Sequence, residues 1–159
     1  MTELIADILG VSIKRIDVNE LQLVVDLFDK YRIFYNQPSD IALAKSFLKE
    51  RLMNNESVIF VATIKNAPVA FTQLYPKYSS MRAAKNWVLN DLYVDEKYRK
   101  QGIGKKLIDT ATVFAKENKA NFVQLATAND NYNAQHLYES IGFTKQGTDN
   151  NFILYRINV

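Results

Sequence analysis

The stretch YRKQGIGKKL, residues 98–107, places Gly102 and Gly104, two of the chain's five glycines, among Arg99, Lys100, Lys105 and Lys106. Glycine admits positive φ and leaves no Cβ between backbone and ligand, and the start of a helix leaves N–H groups without intrahelical partners. The following residues, GKKLIDTATVFAKENK, carry Leu107, Ile108, Ala111, Phe114 and Ala115 at helical spacing, and NWVLNDLYV before the turn and NFVQLAT after the helix read as strands. Strand, glycine turn, helix and strand make a crossover between parallel strands, right-handed by the general rule. The chain therefore contains an α/β unit whose helix N-terminus suits an anion such as a diphosphate.

Around this unit the periodicity changes along the chain. VSIKRID alternates as a first strand, VNELQLVVDLFDKYR has helical spacing at Leu21, Val24, Val25 and Phe28, and PSDIALAKSFLKERL reads as a second helix capped by Ser39 or Asp40. SVIFVATI, the turn KNAP and VAFTQLYP form a hairpin. NAQHLYESIG is a last helix stopped by Gly142, and FTKQG and NFILYRINV close the chain as strands. TELIADILG is expected to be a short helix or an arm. No repeat or Gly/Ser-rich linker interrupts the 159 residues, so a single domain over 1–159 is expected.

Composition removes several chemistries. With no cysteine and one histidine, His136, disulfides, thiolate nucleophiles and His/Cys metal sites are out, and no metal is expected. A formal charge of +3 without a charged stripe gives no reason to expect nucleic acid. No apolar run reaches the ~18 residues of a spanning helix, so the expectation is a cytoplasmic protein without a membrane partner.

Two nucleotide motifs fail at the glycine turn. Walker A needs Gly where Arg99 stands and Ser or Thr where Lys106 stands. A dinucleotide fingerprint needs a third Gly where Leu107 stands and a strand running straight into the glycines, whereas DEKYRKQ intervenes. The order of elements and two motifs instead resemble the GNAT superfamily of N-acetyltransferases: YRKQGIG matches its acyl-CoA signature R-x-x-G-x-G, and NDNYNAQHLYESIGF is similar to its N-x-x-A-x-x-L-Y-E-x-x-G-F segment. A softer likeness, through VAFTQLYPKYSS and WVLNDLYV, is to the spermidine/spermine N-acetyltransferase type and its bacterial relatives.

The resemblance implies an α/β (α+β) GNAT fold: a central mixed, mostly antiparallel twisted sheet of about six to seven strands with about four helices, strands 4 and 5 parallel and splayed. It implies acetyl-CoA as cosubstrate. Arg99, Lys100, Gln101, Gly102, Ile103, Gly104 and Lys105 would surround its diphosphate, chiefly through main-chain N–H groups, with Lys100 or Lys106 near the 3′-phosphate unless these lysines are simply solvated. Leu92, Tyr93 and Val94 would hold the pantetheine arm as an added strand, and Asn131 and Ala134 would help place the cofactor. Tyr138 matches the family tyrosine that protonates the departing thiolate; the plainer alternative is a tyrosine packed on a helix face.

At the position of Asn90 the polyamine enzymes carry a glutamate, and an amide cannot take a proton. Asp91 is adjacent, although strand alternation predicts that its side chain faces the other way. A water relay aided by Asp91, Glu139 or a tyrosine is one solution, and a base elsewhere is the other. Tyr31, Phe34 and Tyr35, in the connection DKYRIFYNQPSD, together with Asn90, are the candidates for the acceptor site, since aromatic rings favour an alkylammonium or its neutral amine. The leading expectation is transfer of acetyl to a primary amine of a polyamine-like small molecule or a lysine side chain, by direct attack in a ternary complex. The rival is a non-catalytic acyl-CoA-binding module. Many relatives dimerise, so a homodimer is expected, with NFILYRINV either meeting a partner or finishing the protomer's own sheet.

Overall fold

The computed structural model describes residues 10–159, so the helix or arm expected over TELIADILG lies, up to residue 9, outside the described residues. The strands are β1 (Val11–Arg15), β2 (Val58–Ile64), β3 (Ala67–Ser79), β4 (Ala84–Val94), β5 (Phe122–Ala128), β6 (Thr144–Asp149) and β7 (Phe152–Asn158). The α-helices are α1 (Val25–Phe34), α2 (Ile41–Met53), α3 (Ile103–Glu117) and α4 (Tyr132–Ile141), with short 3-10 turns at Val18–Leu23 and Glu96–Tyr98. The strands form one seven-stranded sheet in the order β1-β2-β3-β4-β5-β7-β6. Among the described residues only β4 and β5 are parallel; every other neighbouring pair is antiparallel. This is the expected fold.

Period-2 alternation in β2 divides the core. Val58, Phe60 and Ala62 pack with Leu74, Trp87, Leu89 and the apolar stripe of α3, which includes Leu107, Ile108 and Ala111. Ile59 and Val61 face the opposite way, onto Phe28 of α1, Ala44 and Leu48 of α2 and Phe71 of β3. The sheet is thus a middle layer with α3 and α4 on one face and α1 and α2 on the other. The β2–β3 hairpin turns through Lys65 and Asn66 at φ 50° and 65°, the left-handed conformation a two-residue hairpin demands.

Two local expectations are corrected. VNELQLVVDLFDKYR is not one helix: Asp17 and Glu20 close a capping box on the 3-10 turn, and Val24 at φ −120° separates that turn from α1. The helix also runs two residues past the expected VNELQLVVDLFDKYR, so Phe34 as well as Tyr31 projects from the last turns of α1 rather than from the connection. Asp40, not Ser39, caps α2, accepting from Leu43 N at 2.9 Å. Strand β7 lies between β5 and β6 with both edges occupied, so it finishes the protomer's own sheet; β1 and β6 are the sheet's outer strands.

Candidate active site

The two parallel strands part company early. β4 and β5 pair only at Trp87–Val123 and Val88–Gln124. Yet β4 stays paired to β3 as far as Val94, and β5 to β7 as far as Ala128. Each strand follows its outer neighbour, and a wedge opens between Leu89–Val94 and Leu125–Ala128. Asn86 closes its foot: its Oδ1 accepts from Asn121 N at 2.7 Å and Phe122 N at 3.3 Å. From Leu89 onward, β4 has no strand partner on this side, so its inward backbone groups are open to a ligand.

The wedge widens into a cleft of about 450 Å³. Gly102, at φ 84°, is the N-cap of α3, and among the described residues no side chain caps this helix end. Lys100, at φ 61°, is also left-handed, so the turn coils tightly ahead of the helix. Gly104 is different. A Cβ there would meet Val94 Cγ2 at 3.8 Å and Leu92 Cδ2 at 4.0 Å, ordinary contact distances, and its φ is not positive. Among the described residues neither backbone conformation nor packing requires glycine at 104, although glycine in a helix costs about 0.5–1 kcal/mol relative to alanine. What remains is access to the backbone from the cleft.

Arg99 is held from two sides. Its Nε donates to Val94 O at 2.8 Å, and its guanidinium lies 5.6 Å from the Phe34 ring and 5.4 Å from the Tyr93 ring. Nearby, Lys30 of α1 pairs with Asp95 at 2.8 Å, and Asp95 caps the turn leading to the glycines. The end of α1 is thereby fastened to the glycine turn.

On the opposite wall Asn131 caps α4, its Oδ1 accepting from Ala134 N at 3.2 Å. Asn131, Ala134, Leu137 and Tyr138 all face the cleft. Burial pushes the Tyr138 phenol up to about 12, so it holds its proton at neutral pH.

The register between β3 and β4 slips by one residue: Gln73 pairs with Asp91 and Leu74 with Leu89. Asn90 is the extra residue of a β-bulge, and the bulge undoes strict alternation. Asp91 is therefore not turned away from Asn90, as alternation predicts. Asn90 Nδ2 donates to Asp91 Oδ1 at 2.7 Å and Gln73 Nε2 donates to Asp91 Oδ2 at 2.5 Å, with Tyr31 close enough to interact with the same carboxylate. Asp91 is only 2% exposed. Burial raises its pKa above the ordinary aspartate value, and Gln73, Asn90 and Tyr31, all neutral, oppose that rise. The Tyr31, Tyr35 and Tyr75 phenols are raised by burial first and by the Asp91 charge second.

The cleft brings together Leu92, Tyr93, Val94, Arg99, Lys100, Gly102, Ile103, Gly104, Lys105, Asn131, Ala134 and Tyr138 with Phe34, Tyr35 and Asn90. Gln101 does not line it, and Tyr31 and Asp91 stand behind Asn90 and Tyr35. Nothing in the sequence motifs singles out Gln73 and Tyr75. Period-2 spacing from Phe71 puts both on the α1–α2 face of β3, a signal the hydrophobic run of that strand obscures.

Comparison with known proteins agrees with this geometry. The model of the acetyltransferase (GNAT) family matches residues 21–143. An uncharacterised N-acetyltransferase of Bacillus subtilis (strain 168) is 38% identical over 148 residues, 93% of this chain and 97% of that protein. Among solved structures, a probable acetyltransferase superposes with a TM-score of 0.82 at 37% identity, over 87% of this chain and 94% of that one. The PaiA N-acetyltransferase of Thermoplasma acidophilum, in complex with coenzyme A, shares the fold with a TM-score of 0.69 at 16% identity, over 94% of this chain and 99% of that one. With the wedge between β4 and β5, the glycine turn at its mouth and relatives that span nearly the whole chain, this protein belongs to the GNAT family of acetyltransferases.

Proposed function

We propose that the protein moves the acetyl group of acetyl-CoA to a primary amine, carried by a polyamine-like small molecule or a lysine side chain, by direct attack in a ternary complex. One observation carries this reading: the open edge of β4, the uncapped N-terminus of α3 and the Tyr138 phenol share a single cleft. Acetyl-CoA fits that cleft on the grounds of Gly104, where among the described residues neither backbone conformation nor packing calls for glycine. When bound it supplies an activated thioester.

The remaining steps belong to the chain. Main-chain N–H groups from Arg99 to Lys105, Gln101 included, cradle the diphosphate at the positive end of α3. The backbone of Leu92, Tyr93 and Val94 receives the pantetheine arm as an added strand, with Asn131 and Ala134 on the far wall. Tyr138, protonated at neutral pH, donates to the departing sulfur. Asn90, Phe34 and Tyr35 border the acceptor, with Tyr31 behind them. Asp91 provides the negative charge toward which the amine's proton moves, by way of Tyr31 or a water, since Asp91 itself stands back from the cleft. The reading keeps one domain over residues 1–159, a homodimer and a cytoplasmic setting; among the described residues no helix is long and apolar enough to cross a membrane.

The test is acetyl-CoA turnover, followed as thiol release, across polyamines, amino acids, aminoglycosides and lysine peptides. Turnover with at least one class is expected. Tight acetyl-CoA binding with no turnover across all of them identifies the binding module instead. With the best acceptor, Asp91→Asn is expected to alter the acidic limb of the pH–rate profile; an unchanged limb removes Asp91 from the reaction.

A further inference from the structure

Helix α4 carries Tyr138 but has no fully buried residue, so packing alone anchors it lightly. Leu137, Tyr138 and Ile141 lie partly buried against the core, and Gly142, at φ 116°, ends the helix. One residue of the sheet grips α4 at two points. Tyr155 of β7 is fully buried, and its ring stands edge-on to the Tyr138 ring at 5.9 Å and 61°. Its hydroxyl donates to Glu139 Oε1 at 2.9 Å. Phe143 supports the Tyr138 ring from another side at 6.0 Å. Successive helix residues point about 100° apart, so contacts at 138 and 139 fix the rotation of α4 about its own axis. Neither contact alone does this, because a single point leaves the helix free to roll.

We propose that Tyr155, acting through Glu139, is a positioning residue for acetyl transfer: it sets the roll of α4 and so aims the Tyr138 hydroxyl into the cleft. This rests on Tyr138 being the proton donor, and the experiment separates the two ideas. A donor's efficiency depends on its alignment, so a small roll lowers kcat without touching the diphosphate cradle on α3.

The variants are Tyr155→Phe, Glu139→Ala, Glu139→Gln and Tyr138→Phe in the full chain. Two readouts are used: acetyl-CoA turnover with thialysine as the acceptor probe, and the 19F resonance of 3-fluorotyrosine placed at 138 alone, which needs no acceptor. Tyr155→Phe keeps the ring and loses the bond, and Glu139→Ala loses the acceptor. Both are expected to shift the 138 resonance together and to lower kcat roughly five- to twentyfold, with the CoA Kd, measured by calorimetry, within about twofold of wild type. Glu139 does not line the cleft and so takes no part in the proton relay, and Glu139→Gln, which still offers an oxygen to the Tyr155 hydroxyl, is expected to keep both readouts at wild-type values. A 138 resonance unmoved in Tyr155→Phe and Glu139→Ala overturns the proposal, as does Glu139→Gln behaving like Glu139→Ala. Should Tyr138→Phe keep full kcat, the donor reading fails, while the 19F comparison still decides whether Tyr155 and Glu139 aim the ring. Thermal melts identify any variant that loses its fold, and the 19F shift of the Glu139→Gln and Glu139→Ala pair then stands as the deciding comparison, since that side chain is exposed.

Discussion

At single positions, stability and function pull in opposite directions. Gly104 is tolerated by the fold but not required by it. Gly104→Ala is expected to raise the melting temperature, because alanine is better in a helix by about 0.5–1 kcal/mol, while weakening CoA binding roughly tenfold by crowding the N–H groups of the first turn. Differential scanning fluorimetry and calorimetric titration read the two halves, and equal CoA affinity removes Gly104 from the cradle. Asp91 makes the same point through charge. Its pKa is raised in the fold, so between its unfolded and folded values the native state binds more protons, and stability falls as pH rises through that window. Above that window the burial cost is fully present. Asp91→Asn removes it, and Gln73 Oε1, buried without a partner, can accept from the new amide after a side-chain flip. The variant is expected to melt higher at pH 7 and to lose its advantage below the unfolded aspartate pKa, while turnover drops about a hundredfold. A lower melting temperature at pH 7 contradicts this account of Asp91.

At the level of elements, the wedge depends on where pairing stops. Two register positions and the Asn86 side chain hold β4 to β5, and Asn86 is fully buried. Asn86→Ala strands the N–H groups of Asn121 and Phe122 and is expected to cost about 1–3 kcal/mol in urea unfolding, with faster amide exchange at the start of β5. A loss under ~0.5 kcal/mol means the outer neighbours alone set the wedge. This is also the scale at which the sequence stops being readable. Helical spacing located α3, and the glycine turn together with the NFVQLAT strand identified the parallel pair, since those patterns are local. The bulge at Asn90 is a mismatch between two strands, β3 and β4, and leaves no mark in either strand alone. Asp91 was consequently expected on the wrong face. Arg99 shows the same limit: its motif is local, but the Phe34 and Tyr93 rings that hold its guanidinium come from α1 and β4.

Across the whole molecule, the wedge leaves a sheet in two halves joined along a short seam: β1 to β4 on one side, and β5, β7 and β6 with α4 on the other. A ligand arm lying in the wedge as an added strand reaches both halves at once, through the inward edge of β4 and the α4 wall. Its binding energy then becomes resistance to unfolding. At about a hundred times its Kd a ligand adds ~2.7 kcal/mol, which for a chain of this size corresponds to a rise of about 5–10 °C in melting temperature. The more telling readout is where protection appears. With CoA bound, hydrogen exchange is expected to slow in the segment 89–94 of β4 and at the first turn of α3 together. β3 is already paired to β4 along its length and should change little. Were protection to rise at the α3 turn alone, the diphosphate would still be held there, but the arm would run outside the wedge and Tyr138 would lie off its path.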